Sequence, residues 1–322
     1  MKIAFLMNKP FLAPLLFSLL LIGCDTTPKA ERTHELAPQG VFSASLSKNL
    51  ALIGTTARGN AELWQLKPKQ LLHTWQHTDE KNGILYTAIS DNEQYALTAE
   101  SESLAWWRIA DGVLMNVWYL PNISSITLSA DGQFALIGLE DKAIYYSLQH
   151  GQTRYAFKHE SSVTKVDISA SSQLAITGSS DETAKLWDLN NGQEKFSWSH
   201  QSKLSTVTIS PDDKYALTNE GLGTIRLWKT QTGKLYKQLG PKLITLSSAA
   251  FSENSKYLIS GRVSQRIDLW DIRSGKIINY WRPKKDSFWK PSAATILTLT
   301  FTANDRKIYS LASNGYLQLW RK

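Results

Sequence analysis

An aromatic residue closes a strand-like apolar run seven times along the chain: Trp64, Trp107, Tyr146, Trp187, Trp228, Trp270 and Trp320. The intervals are 43, 39, 41, 41, 42 and 50 residues. A second series marks turns at Ser47, Ser90, Ser129, Ser169, Ser210, Ser252 and Thr302, at intervals of 43, 39, 40, 41, 42 and 50. The two series lengthen and shorten together, so they define one period. A period of this length signals repeated supersecondary units rather than unrelated domains. At 42% apolar and 20% charged residues, the chain is neither disordered nor a polytopic membrane protein.

One unit carries the physics of all seven. Residues 163–169 alternate in polarity as a half-buried strand does. Residues 170–173 are turn-forming, and Leu174 to Thr177 reads as the next strand. Gly178 to Glu182 turns again, and Thr183 to Trp187 is a third strand. Asn190-Asn191-Gly192 is a hairpin signal, because Asn and Gly tolerate positive φ, and Gln193 to Trp198 follows as a fourth strand. Equivalent turns recur at Asp111-Gly112, His150-Gly151, Thr232-Gly233 and Ser274-Gly275. Four antiparallel strands per unit predict a propeller blade. The predicted fold is all-β, a single seven-bladed β-propeller, with no helical period in the mature chain.

SSDETAKLWDL (179–189), SPDDKYALT (210–218) and IDLWDI (267–272) resemble the WD40 repeat, and the resemblance covers residues 32–322. In that family a His, a Ser or Thr, an Asp and the Trp form a structural hydrogen-bonded tetrad within a blade. Blade four carries all four, at His159, Thr177, Asp181 and Trp187. Blade five has His200, Thr218 and Trp228, with Leu222 where the Asp is expected. Blade six keeps Ser260 and Trp270, blade seven keeps Ser310 and Trp320, and blade three has Tyr146 in place of Trp. Blade seven runs out of chain without a fourth strand, while residues 32–36 precede blade one at the spacing of a fourth strand. Borrowing that N-terminal strand closes the ring and covers two sheet edges that are otherwise unpaired.

The amino terminus reads as an address. Lys2 and Lys9 precede a 13-residue uncharged run, Phe11 to Gly23, which is too short to span a bilayer as a helix and has the shape of a secretory signal. It ends in Leu21-Ile22-Gly23-Cys24, which resembles the bacterial lipobox, and Cys24 is the one Cys of the chain. The resemblance implies cleavage before Cys24 and acylation of that residue. The expected organisation is a signal peptide over 1–23, a lipidated tether over 24–31 and a propeller over 32–322. Several acyl chains at roughly 0.8 kcal/mol per buried CH₂ hold such a protein at a membrane. Asp25 resembles an inner-membrane retention signal and slightly favours that address, with the outer membrane left open.

No catalytic constellation emerges. The six His residues show no metal-ligand spacing, and there is no G-x-S-x-G elbow or P-loop. We therefore expect no metal, no cofactor and no enzymatic activity. His73 and His77 lie on a strand-to-loop path, Asp167 and Asp268 lie within strands where a solvent-facing orientation is open, and Trp106, Trp118, Trp198 and Trp281 are candidates for exposure. The formal charge of +8 falls to about +6 once Lys2 and Lys9 are removed, with no basic stripe for nucleic acid. The longest interval holds a loop rich in basic and aromatic residues. It contains Trp281, Arg282, Lys284, Lys285, Phe288, Trp289 and Lys290, candidate contacts for an acidic partner surface.

These features predict a monomeric, lipid-anchored propeller that scaffolds an envelope protein, facing the periplasm of a Gram-negative-type envelope. The competing expectation is a propeller whose central channel binds a small molecule or glycan fragment. Labelled lipid supplied to cells should enter the wild-type protein and not the Cys24→Ala variant; equal incorporation in both contradicts the lipobox reading.

Overall fold

In the computed structural model, which describes residues 28–56, 59–77, 83–285 and 294–322, the period resolves into seven four-stranded antiparallel sheets. Blades one to six occupy 41–75, 86–119, 125–158, 163–199, 204–244 and 246–281. Blade four comprises Val163–Ile168, Leu174–Ser179, Thr183–Asp188 and Gln193–Ser199, paired in chain order. These strands end within two residues of the sequence expectation. Blade seven takes Ile296–Phe301, Lys307–Ala312 and Tyr316–Arg321 from the C-terminal end, and Arg32–Glu35 from the N-terminal end. The borrowed strand pairs Arg32 with Leu319 and Glu35 with Tyr316. The ring is thus closed as the strand count predicts.

Composition follows position in the blade. Second strands are sandwiched between neighbouring blades and read as unbroken buried runs: Leu50–Thr55 and Leu174–Ser179 are buried at every residue. Fourth strands form the outer edge and alternate with exposed polar residues, as in Gln193–Ser199. The hairpin glycines Gly112, Gly151, Gly192, Gly233 and Gly275 all have φ between 64° and 74°. After each, the fourth strand pairs with a register shift beside the repeat aromatic, as at Leu186/Trp187 and Leu227/Trp228. A left-handed glycine followed by a bulge is the geometry of a three-residue hairpin loop. At Gly192 and Gly233, an added Cβ would also lie 2.4 Å from the ring of Tyr155 or Phe196 of the preceding blade.

Neighbouring blades are joined by two repeated contacts. Near the channel, first-strand hydroxyls donate to backbone carbonyls at the start of the next blade or just before it: Ser43 to Ile84 (2.7 Å), Thr164 to Leu204 (2.8 Å), Thr206 to Leu246 (3.0 Å) and Ser248 to Ile296 (3.1 Å). Farther out, the aromatic ending a fourth strand packs on the third-strand aromatic of the following blade. Ring centroids are 4.9 Å apart for Trp75–Trp107, 5.6 Å for Trp118–Tyr146, 4.6 Å for Phe157–Trp187, 5.0 Å for Trp198–Trp228 and 6.2 Å for Trp281–Trp320. Trp75 and Trp198 also donate their indole N–H to the carbonyls of Gly112 and Gly233, in the hairpins of the next blade.

This corrects the expectation of exposure. Trp106, Trp198 and Trp281 are buried and Trp118 is half-buried: the next blade covers the fourth-strand Trp118, Trp198 and Trp281, while Trp106, in a third strand, packs on Tyr95 and Trp118. Trp198→Ala should destabilise the protein by about 3–5 kcal/mol, through lost burial and an emptied inter-blade space. Tyr119→Ala, at an exposed position of a fourth strand, should stay within about 0.5 kcal/mol. Urea unfolding of the two variants checks this, and equal costs would contradict the inter-blade role.

Candidate interaction face and its hydrogen-bonded tetrads

The ring has two unlike ends. One carries the turns between first and second strands and the third-to-fourth hairpins. The other carries the second-to-third turns and the connections between blades. The tetrad of blade four lies at this second end, the connection face. Asp181, in a turn there, accepts from His159 Nδ1–H at 2.8 Å. His159 Nε2 accepts from Thr177 Oγ1 at 2.7 Å, and Trp187 Nε1–H donates to the same hydroxyl at 2.9 Å. The carboxylate only accepts and the indole only donates, which fixes the direction of the relay. Burial lowers the His159 pKa against the opposing pull of Asp181. Burial acts to raise the Asp181 pKa, but hydrogen bonds from Thr183, the Glu160 N–H and His159 outweigh it and hold the carboxyl at about 2.

The indole-to-hydroxyl step recurs in five blades. Trp107 donates to Thr98 (2.8 Å), Trp228 to Thr218 (2.8 Å), Trp270 to Ser260 (2.9 Å) and Trp320 to Ser310 (2.8 Å), beside Trp187 in blade four. In blades one and three the registers opposite Trp64 and Tyr146 put Ile53 and Ile137 at the hydroxyl position, and no such bond forms.

Blade two holds a relay that the sequence reading missed. Thr98 Oγ1 donates to His77 Nε2 at 2.6 Å, His77 Nδ1 meets Ser103 Oγ at 3.0 Å, and Ser103 donates to Glu100 at 3.0 Å. The available signal was Thr98, nine residues before Trp107, as Thr177 is ten before Trp187.

Blade five departs from the pattern in a different way. Leu222 is exposed in its turn, and the acid comes from strand residue Glu220. Glu220 lies 3.4 Å from His200 Nδ1 and 3.2 Å from Arg226, whose guanidinium donates to His200 Nδ1 at 2.5 Å. His200 Nε2 is buried with no hydrogen-bond partner, so the relay stops short of Thr218.

Of the two strand carboxylates, Asp268 is buried and Asp167 half-buried. Asp268, fully buried, sits between the guanidinium groups of Arg262 (2.5 Å) and Arg266 (2.6 Å). Asp167 lines the channel, where burial pushes its carboxyl up to about 6 against hydrogen bonds from Thr208, Ile209 N–H and Ile168 N–H.

The predicted contact loop divides in three. Trp281 is 1% exposed and packs on Trp320, so it belongs to the core and not to a contact surface. Arg282, Lys284 and Lys285 are exposed. The Lys284 backbone N–H donates to Gln318 (2.8 Å), and its carbonyl accepts from Asn314 (3.0 Å), which fixes this stretch to blade seven. Phe288, Trp289 and Lys290 lie outside the described residues, as does Cys24 with its lipobox. On the same face, between blades five and six, Leu222, Leu243 and Val263 are 70%, 73% and 50% exposed around a cavity of about 340 Å³. Sequence reading did not single them out.

Residues 151–188 match the family model of the WD domain, G-beta repeat. The match spans the fourth strand of blade three and three strands of blade four, including the complete tetrad. That match and the seven-bladed ring support the WD40 β-propeller family. WD40 propellers generally mediate protein interactions, which suggests that role here at the general level. A search of curated proteins finds no match.

Buried His77 and His200 are each held down to about 4, both chiefly by desolvation, with Arg226 adding to it at His200. An unfolded imidazole titrates near 6.5, so between about pH 6.5 and 4 the unfolded chain binds more protons. Stability from these two groups is complete above about 6.5 and is lost as pH falls toward 4. Asp181, lowered to about 2, adds a further loss below about pH 4. Melting temperature should therefore fall steadily from pH 7 to pH 4, with a shallower slope in His77→Gln and His200→Gln. A flat profile in the wild type would contradict the assignment.

Proposed function

We propose that this protein is a lipoprotein anchored through acylated Cys24 that acts as a non-catalytic scaffold at an envelope membrane, using its connection face to hold a partner protein. The path of the N-terminal segment supports the arrangement. Glu31 N–H donates to the Leu319 carbonyl, and the Glu31 carboxylate pairs with Lys307, at the turn end of blade seven. Residues 28–31 therefore reach blade seven at its turn end, and a tether of eight extended residues spans at most about 26–29 Å. Such a tether keeps the turn end toward the bilayer and the connection face away from it. Asp25 favours the inner membrane in this reading, with the face turned to the periplasm.

The observation that carries the proposal is the aliphatic patch on that face. Leu222 and Leu243 adopt φ of +53° and +71°, a left-handed conformation that is costly for a branched side chain. Both then expose that side chain beside Val263. Singly exposed apolar residues are ordinary, but three around one cavity form a candidate contact patch. Arg282, Lys284 and Lys285 stand on the same face and suit a partner that is apolar at the centre and acidic at the rim.

In-cell crosslinking followed by purification in mild detergent tests this. The wild type should recover a specific envelope protein that the Leu222→Asp/Val263→Asp variant loses while retaining its circular dichroism spectrum. Recovery of the same protein by the folded variant would show that the patch is not the contact. No specific recovery, under conditions that capture a known envelope complex, would contradict scaffolding itself.

A further inference from the structure

The channel opens on the connection face into a cavity of about 290 Å³, walled by first-strand residues of six blades. Its lining is largely aliphatic and hydroxylic, and Lys165 is its one charged side chain. Lys165 comes from the first strand of blade four, just after a register shift against Ser179 and Gly178. No described residue gives its ammonium a carboxylate or a hydrogen bond, and desolvation lowers its pKa. The nearest carboxylate along its strand, Asp167, is turned toward blade five, where it accepts from Thr208 Oγ1 (2.7 Å) and Ile209 N–H (3.0 Å). Thr87 lines the same cavity, with its Oγ1 buried and without a hydrogen-bond partner.

An enclosed ammonium without a counter-charge is costly, and so is an enclosed hydroxyl without a partner. The first cost disappears when an anionic group occupies the cavity beside the ammonium. The remaining lining mixes hydroxyls with a few aliphatic side chains, which suits a ligand with a short apolar body. The volume lies near the lower limit for such cavities, which restricts the ligand to a few carbon atoms beyond its charged group.

We propose that this mouth of the channel binds a small organic anion, a carboxylate or a phosphate monoester with a short aliphatic body. Its charged end meets Lys165, and its body lies against Leu85, Ile126 and Leu297. The site is separate from the aliphatic patch of blades five and six, so it stands or falls independently of the scaffold reading.

The test is calorimetric titration of the full-length protein with pentanoate, pentyl phosphate and 1-pentanol. At least one anion should saturate in the millimolar range expected for a ligand of this size. The alcohol should bind at least about tenfold more weakly, and so should the anion to Lys165→Met. A response to pentanoate alone assigns the site to carboxylates, and one to pentyl phosphate alone assigns it to phosphate esters. Binding by neither anion, or equal binding to Lys165→Met, overturns the proposal. Without ligand, Lys165→Met should melt at or above the wild-type temperature. A clearly lower melting temperature would mean that the ammonium has a structural partner, which also overturns it.

Discussion

Each blade is completed by the blade that follows it. A four-stranded sheet with two apolar faces has no stable existence in water by itself, and here every face is closed by a neighbour. The aromatic ending one fourth strand lies on the third-strand aromatic of the next blade in five of the seven junctions. Where the repeat aromatic is Trp opposite a hydroxyl, the indole N–H is also fixed from behind by a Ser or Thr of the second strand. That bond orients the ring that the preceding blade must meet. The closing strand follows from the same requirement, because an open chain of blades leaves two terminal faces uncovered and a ring leaves none.

Much of this was legible because local and global demands coincide. The hairpin glycines serve the turn, the bulge and the close approach of the preceding blade at once, so Gly192 and Gly233 announce themselves in sequence. The period fixed seven units, and the missing fourth strand of blade seven pointed to residues 32–36. The tetrad of blade four was legible for a similar reason: its four members occupy one blade at the repeat's own spacing.

What stayed hidden depends on contacts between units. Trp106, Trp118, Trp198 and Trp281 looked exposed because the surface covering each belongs to another blade or strand. His77 was missed because its connection to blade two is longer than that preceding blade four, and because its carboxylate, Glu100, is reached through Ser103. In blade five Leu222 correctly marked the lost Asp, but nothing in the spacing announced that Glu220 and Arg226 would take His200. Asp268 reads as an ordinary strand residue until Arg262 and Arg266 are seen to flank it. Lys165 and Thr87 line one cavity only because the ring brings their first strands to one channel.

The rigid ring gives meaning to direction. Its N-terminal strand, needed for closure, also determines the end from which any lipid tether departs. The opposite end then carries the exposed leucines, the basic stretch after blade six and the mouth with Lys165. Function in this account rests on that polarity more than on any single side chain. Fluorescent labels at Arg306→Cys on the turn end and Ser264→Cys on the connection face, in the lipidated protein bound to vesicles, test it directly. A quencher placed at the lipid headgroups should dim the Arg306→Cys label strongly and the Ser264→Cys label weakly. The reverse order would place the connection face against the bilayer and contradict the account.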